Sequence, residues 1–283
     1  MSAAATKPKV EKIPCPLCRA DRPQPWGHEN GFDCVRCGDC GLLYVNPRPA
    51  PEHIDRAVQL GVHDEEKLNV VGCRIPSKVS RFRSVVQRQF PELRPGGKPI
   101  RWLDVGAGFG ELVEAVTSIA PSGSACEGIE PMVPKAQDAQ RRGLPVRAVY
   151  MQDVKERYDV VSLMDVFSHI PDFHGFLKEV KGLLNPRGEV FLKTGNAADL
   201  ANRDAFPGPL TLPDHLTFGG EPQVRRFLEE AGFEVVDVKA DRMDGLIYSL
   251  RNLVKWILRR PVRLSLPYTS PSRVLWIRAR LRA

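Results

Sequence analysis

Two groups of residues in this chain have types and spacings suited to chemistry. The first is cysteine. Five of the seven cysteines fall within the first forty residues. Cys15-Pro-Leu-Cys18 forms one C-x-x-C turn, and Cys34-Val-Arg-Cys37-Gly-Asp-Cys40 holds two overlapping ones. Each such turn presents two thiolates side by side, and two turns complete a tetrahedral Cys₄ set for zinc. Gly41 after Cys40, and the strand-like run beyond it, point to Cys37 and Cys40 as partners of Cys15 and Cys18. Cys34 is then a bystander, or an alternative to Cys40.

The second group is Ile100-Arg-Trp-Leu-Asp-Val-Gly-Ala-Gly-Phe-Gly-Glu-Leu112. An apolar run ends at Asp104, glycines follow at 106, 108 and 110, and an amphipathic segment opens near Glu111. This reads as strand, tight turn and helix, with main-chain N–H groups open to a ligand. A dinucleotide loop has its third glycine one position later, where Glu111 stands. A carboxylate at Asp104 repels a pyrophosphate and suits a ligand with an ammonium group. A second strand, Ala125-Cys-Glu-Gly-Ile-Glu130, ends in an acid placed to accept hydrogen bonds from ribose hydroxyls. An amino-acid end at the first turn and a ribose at the second describe S-adenosylmethionine (SAM).

On these residues the chain resembles the class I SAM-dependent methyltransferases, whose first motif runs like Leu103-Asp-Val-Gly-Ala-Gly-Phe-Gly110. Gly41-Leu-Leu-Tyr-Val-Asn-Pro-Arg-Pro49 resembles the linker of bacterial methyltransferases that carry an N-terminal zinc ribbon. The resemblance implies SAM at Asp104, Gly106, Gly108, Gly110 and Glu130, with Asp153 as acceptor for the adenine amino group. Asp165-Val-Phe-Ser-His-Ile170 resembles the family's Asp-Val-x-Glu-His-Ile segment, placing Asp165 at the cofactor cleft. Ser168 stands where the family has glutamate, which removes one potential base. Leu212-Pro-Asp-His-Leu-Thr-Phe218 resembles the family's His-Leu-x-Phe element.

The elements that must position these residues alternate. The implied fold is α/β, a Rossmann-like, seven-stranded, mostly parallel sheet behind a small zinc ribbon. We divide the chain into a ribbon (1–48), a helical linker covering the cleft (49–98) and a methyltransferase domain (99–283). Helices are expected at Pro51–Leu60 and Ser77–Phe90, the latter with Val79, Phe82, Val85, Val86 and Phe90 at helical spacing. The intervening Gly61–Glu66 reads as a loop, where His63 is a solvated histidine or a cleft residue. Strand three is expected over Val146–Tyr150 and strand four over Tyr158–Met164. Asn185–Gly188 reads as a turn before strand five at Glu189–Thr194. A long Pro/Gly-bearing loop over 196–212 forms the acceptor side of the cleft. Arg273–Ala279 is the last, antiparallel strand.

Methyl transfer from a sulfonium is an in-line displacement, so the protein supplies alignment and, where needed, a base. The base candidates are His169 and His215, with Asp214 placed to orient the latter. The formal charge is +7, and Arg242–Ala283 holds ten Lys/Arg against one acid, Asp244. Within an insertion at 242–272, Leu246–Arg260 pairs an apolar stripe with a basic row of Arg251, Lys255 and Arg259. This helix either packs on its own domain or lies on an anionic membrane. No bilayer-spanning run or secretory signal is evident, so a cytoplasmic location is expected, with peripheral contact at the inner membrane face. The acceptor is expected to be a small molecule, a sugar or a lipid-linked compound. The alternative, RNA modification with the ribbon gripping nucleic acid, lacks a dense basic and aromatic face there.

Overall fold

The computed structural model describes residues 9–63, 68–69, 71–206, 208–242, 246–259 and 269–282. At the N-terminus, β1 (Val10–Glu11) pairs with β5 (Arg48–Pro49). Between them β2 (Pro23–Glu29), β3 (Phe32–Cys37) and β4 (Leu43–Val45) form an antiparallel ribbon. The β2–β3 hairpin closes on Asn30-Gly31, both at positive φ, the backbone that two-residue hairpin loops require. The ribbon gains a fourth strand from far along the chain: β13 (Thr217–Phe218) pairs with β4. This is the His-Leu-x-Phe element, whose pairing with a ribbon strand about 170 residues earlier no local pattern in the chain signals.

Two helices follow. In α1 (Pro51–Leu60), Ile54 and Ala57 turn inward, and Gly61 ends the helix in the left-handed conformation. The pair β6 (Val62–His63) and β7 (Leu68–Asn69) replaces part of the expected loop; residues 64–67 lie outside the described residues. In α2 (Pro76–Gln89), the expected stripe of Val79, Phe82, Val85 and Val86 is buried, as is Phe90 just beyond. It packs on a cluster holding Trp102, Leu112, Val116, Phe191 and Trp276.

The central sheet is built from β8 (Arg101–Val105), β9 (Ala125–Ile129), β10 (Val146–Arg147), β11 (Tyr158–Met164), β12 (Leu184–Gly195), β14 (Phe233–Arg242) and β15 (Arg273–Leu281). Their order is β10-β9-β8-β11-β12-β15-β14. The first five run parallel, and β15 is antiparallel to both neighbours. This is the expected α/β architecture. Crossover helices are α3 (Glu111–Thr117), α4 (Val133–Arg141), α5 (Phe173–Gly182) and α6 (Glu221–Glu230). Strand three is shorter than expected and gives way to a 3₁₀ turn at Met151–Asp153. The expected turn at Asn185–Gly188 lies inside β12 as an irregularity, with Arg187 at positive φ and the pairing jumping from Leu184 to Glu189.

The ribbon does not sit apart from the sheet. Cys15, Leu17, Leu42 and Tyr44 share one apolar cluster with Phe167, Phe173, Phe227 and Leu228. The last helix, α7 (Leu246–Ile257), falls in the basic insertion. Residues 243–245 and 260–268 of that insertion, including Arg260 of the expected helix, lie outside the described residues.

Candidate active site

A cavity of about 900 Å³ opens at the C-terminal ends of the parallel strands. Open α/β sheets bind ligands at that edge. It lies toward the upper end of the ~300–1,000 Å³ range of small-molecule sites. Ile54 and Val58 of α1, Lys78 and Phe82 of α2, and the stretch Val71–Cys73 line it from above. Residues of both helices before the first strand thus line the cavity. Nothing is described of the side chain of His63.

The strand–turn–helix after β8 sets the floor. Gly106 has φ +71°, and a Cβ there would meet Val166 Cγ2 at 2.7 Å, so no side chain fits. The N–H groups of Gly106 and Ala107 donate to the Ile129 carbonyl (2.9 and 3.0 Å), tying the loop to the end of β9. Glu130 completes that tie: Oε2 accepts from Gly108 N–H (2.8 Å) and Oε1 from Met132 N–H (3.0 Å). Glu111 lines the cavity and accepts from Ile75 N–H (3.0 Å), joining roof to floor.

Asp104 is buried at the foot of the cavity. Strand register sets it opposite Ser162 of β11, whose hydroxyl donates to Oδ1 (2.6 Å) and receives the indole N–H of Trp102 (2.9 Å). Burial raises the Asp104 pKa to about 7; Ser162 opposes the shift, while the charges of Glu130 and Glu111 reinforce it. Three carboxyl groups thus converge on one wall, an arrangement that a cationic ligand relieves.

Two expected cofactor residues lie elsewhere. Gly110, at φ +78°, is not among the lining residues; a Cβ there would meet Leu144 Cδ1 at 2.8 Å, so it serves helix packing. Asp153 caps the turn after strand three, accepting from Tyr150 N–H (3.3 Å), while Tyr150, Met151 and Gln152 face the cavity. Asp165 does line the cavity; it is held at φ +63° and is paired with Lys193 of β12.

His169 and His215 come together on the opposite wall, ring centroids 4.8 Å apart in an edge-on arrangement. His169 Nδ1–H donates to the Asp214 carbonyl (3.0 Å), and the Asp214 carboxylate lies 3.6 Å from the same nitrogen. His215 Nδ1–H donates to the Leu210 carbonyl (2.9 Å). Both rings keep Nε2 as the basic nitrogen. Their environments differ. Burial disfavours imidazolium at His169, but Asp214 more than offsets it and the pKa is raised. Burial and then the charge of His169 lower that of His215. The expected orienting of His215 by the Asp214 side chain gives way to a different arrangement: His215 Nδ1 pairs with the Leu210 carbonyl, and the Asp214 carboxylate lies beside His169.

The four-cysteine set lies in the ribbon, with Cys15 and Cys37 buried in the apolar cluster that also holds Phe167 and Phe173. Cys15, Cys18, Cys37 and Cys40 have sulfurs within 4.8 Å of one another. The two turns match bond for bond. Cys15 N–H donates to Ala20 C=O and Cys37 N–H to Leu42 C=O; Arg19 N–H returns to Cys15 C=O and Gly41 N–H to Cys37 C=O. Arg19 and Gly41 occupy equivalent left-handed positions. This repeated knuckle selects Cys40 over Cys34. Cys34 is buried among Leu43, Val45 and Leu212 in a separate apolar cluster, and burial pushes its thiol up to about 12. The donor set fits zinc, which thiolates in this geometry bind as a closed structural site.

A methyltransferase-domain family model matches residues 77–238, and the chain belongs to that family. Among curated proteins, the chain is 33% identical over 103 residues to a ubiquinone biosynthesis O-methyltransferase of Proteus mirabilis, covering 33% of this chain and 41% of that protein. It is 30% identical over 167 residues to the protein of that name from Aeromonas salmonicida, covering 53% and 67%. The chain thus spans less than half of the Proteus protein. Among solved structures, magnesium protoporphyrin IX methyltransferase of Synechocystis with bound SAM aligns at TM-score 0.45 and 15% identity, over 73% of this chain and 79% of that one. A SAM-dependent methyltransferase of Mesorhizobium loti aligns at 0.49 and 16%, over 70% and 96%.

Proposed function

We propose that this chain transfers a methyl group from SAM to a hydroxyl of a small-molecule acceptor. The observation that carries the reading is one cavity with a carboxylate-lined Gly-rich wall at one end and a close pair of histidines at the other. The names of the curated relatives support O-methylation.

SAM, when bound, supplies a methyl group already activated on a sulfonium. Asp104 would accept from its ammonium group, and Glu130, which keeps lone pairs beside Gly108 and Met132, would accept from the ribose hydroxyls. The loop at Gly106 and Gly108 allows close approach of the backbone. Across the cavity, His215 Nε2 takes the proton of the acceptor hydroxyl. Its lowered pKa keeps it unprotonated near neutral pH, and the Leu210 carbonyl holds the tautomer. His169, held toward the charged form by Asp214, steadies the developing oxyanion. The Cys₄ set would hold zinc as a structural clamp.

A small-molecule acceptor is supported over nucleic acid by Arg36. The guanidinium of this ribbon residue donates inward to the carbonyls of Ala198 (2.9 Å) and Leu200 (2.6 Å). A second observation bears on location. On α7 the apolar face points outward, with Leu250, Val254, Trp256 and Ile257 each more than half exposed and Asn252 buried. No described helix is long and apolar enough to cross a membrane. We assign this face, with Lys255 and Arg259, to peripheral contact with anionic lipid, which suits an apolar or lipid-linked acceptor.

The test is to incubate the purified chain with methyl-labelled SAM and a fractionated bacterial lysate. Label in the small-molecule or lipid fraction, lost on heat inactivation, is the expected result. Label confined to RNA, or no transfer at all, refutes the proposal.

A further inference from the structure

We propose that Glu29, at the end of the ribbon hairpin, is a positioning residue for the histidine pair on the far wall of the cavity. The ribbon is then part of the acceptor site, and not only a fold-stabilising appendage. This rests on the reading that the histidine pair handles the acceptor's proton.

Glu29 reaches across the interface into the loop after strand five. Its Oε1 accepts from Thr211 N–H (2.6 Å) and Leu212 N–H (3.4 Å), and its Oε2 from Leu210 N–H (2.8 Å). Three successive amides thus converge on one carboxylate. Arg203 lies 3.8 Å from Oε2. Next to it, Asn30 Nδ2–H donates to the Leu212 carbonyl (2.7 Å). Both residues sit at the tight end of the β2–β3 hairpin, so the grip comes from a rigid element.

The loop held in this way is strained. Thr211 has φ +61°, a left-handed conformation that a β-branched residue adopts only when its surroundings enforce it. The converging amides provide that enforcement. The carbonyls of the same loop face the other way and set the histidines. Leu210 C=O receives His215 Nδ1–H, Thr211 C=O receives His215 N–H (3.1 Å), and Asp214 C=O receives His169 Nδ1–H. On the far side of His215, Val45 N–H of the ribbon donates to Leu216 C=O (2.9 Å), and Leu216 N–H donates to Ser168 C=O (2.7 Å). A line of hydrogen bonds therefore runs from Glu29 through Leu210 to the ring nitrogen that fixes the His215 tautomer. Metal-ligating and catalytic histidines both depend on such a partner for their orientation. A glutamine at position 29 keeps one acceptor oxygen but turns an NH₂ toward an amide N–H, so at least one of the three bonds is lost.

The experiment uses the full, zinc-loaded, ¹⁵N-labelled chain. Long-range ¹H–¹⁵N correlation near pH 8.5 reads the tautomer of each neutral imidazole, and calorimetry reads SAM affinity. We expect both rings of the unmodified protein to carry the proton on Nδ1. In Glu29→Gln the His215 ring should shift to a mixture with Nε2–H at least several-fold more populated, while SAM affinity stays within twofold. Glu29→Asp should fall between them. If Glu29→Gln does not fold, Thr211→Gly is added, because glycine holds positive φ without help from the carboxylate. That double variant should regain the Nδ1–H tautomer. Unchanged tautomers in a folded Glu29→Gln protein overturn the proposal, as does failure of the double variant to regain them. His215→Gln separates the two readings. If it still labels the lysate acceptor at full rate while Glu29→Gln shifts the tautomer, the base assignment falls and the Glu29 linkage stands.

Discussion

With Asp104 holding the SAM ammonium group as proposed, its acidity should make SAM binding pH-dependent in a calculable way. Its carboxyl is buried and its pKa lies at about 7, against an ordinary value of 3.8. A ligand carrying an ammonium group binds the ionised form, so binding must first remove a proton at lower pH. With each pH unit below the pKa costing about 1.36 kcal/mol, affinity should rise roughly thirtyfold, or about 2 kcal/mol, between pH 5.5 and 8. Most of that rise should fall below pH 7, with a plateau above. Asp104→Asn should bind more weakly at pH 8 and show a flattened profile. Isothermal titration of SAM across that range, in both proteins, is the assay. A flat profile in the unmodified protein, or an equal slope in Asp104→Asn, refutes the reasoning. The same shift acts on the ligand-free fold with the opposite sense. An acid whose folded pKa exceeds its unfolded value binds its proton more tightly when folded. That contribution is full below about pH 3.8 and is lost as pH climbs to about 7, on the order of 4 kcal/mol. Asp104→Asn should therefore gain stability relative to the unmodified protein at pH 8 and not at pH 4, as read by denaturant midpoints.

Glu130→Ala should weaken SAM tenfold or more, since it removes the ribose acceptor and frees the Gly108 and Met132 amides it ties; affinity within twofold of the original would remove the ribose assignment. Elemental analysis should find one zinc per chain, retained in Cys34→Ser and lost in Cys40→Ser, and the reverse pattern would overturn the knuckle pairing. Anionic vesicles should bind the chain at low salt and release it at high salt, each basic residue at the surface contributing about 1 kcal/mol. Replacing Trp256 and Ile257 with serine should abolish that binding, whereas persistence of binding, or a salt-independent dimer in its place, would reassign the α7 face.

Much of the site was legible in the chain itself. The Gly-rich turn and the acids at the ends of strands one and two are local signals, because their chemistry depends on residues adjacent in sequence. The cysteine pairs are likewise short-range: Gly41 already favoured Cys40 over Cys34, and the repeated hydrogen bonding around residues 15–20 and 37–42 agrees with that choice. Gly110 and Asp153 show the limit of a motif. Each sits in the expected turn, but one side of a turn faces the cavity and the other the protein, and packing decides which. The pairing of His169 with His215 was beyond sequence, since the residues stand 46 positions apart and meet only because β11 and the loop before β13 end at the same edge. The role of Glu29 was further still. Asn30-Gly31 marks the hairpin, yet an acid beside it is ordinary surface chemistry until the fold lays three amides from residues 210–212 against it. Local backbone conformation is written in residue type and spacing, whereas the partner of a side chain across two segments is set by the packing of whole layers.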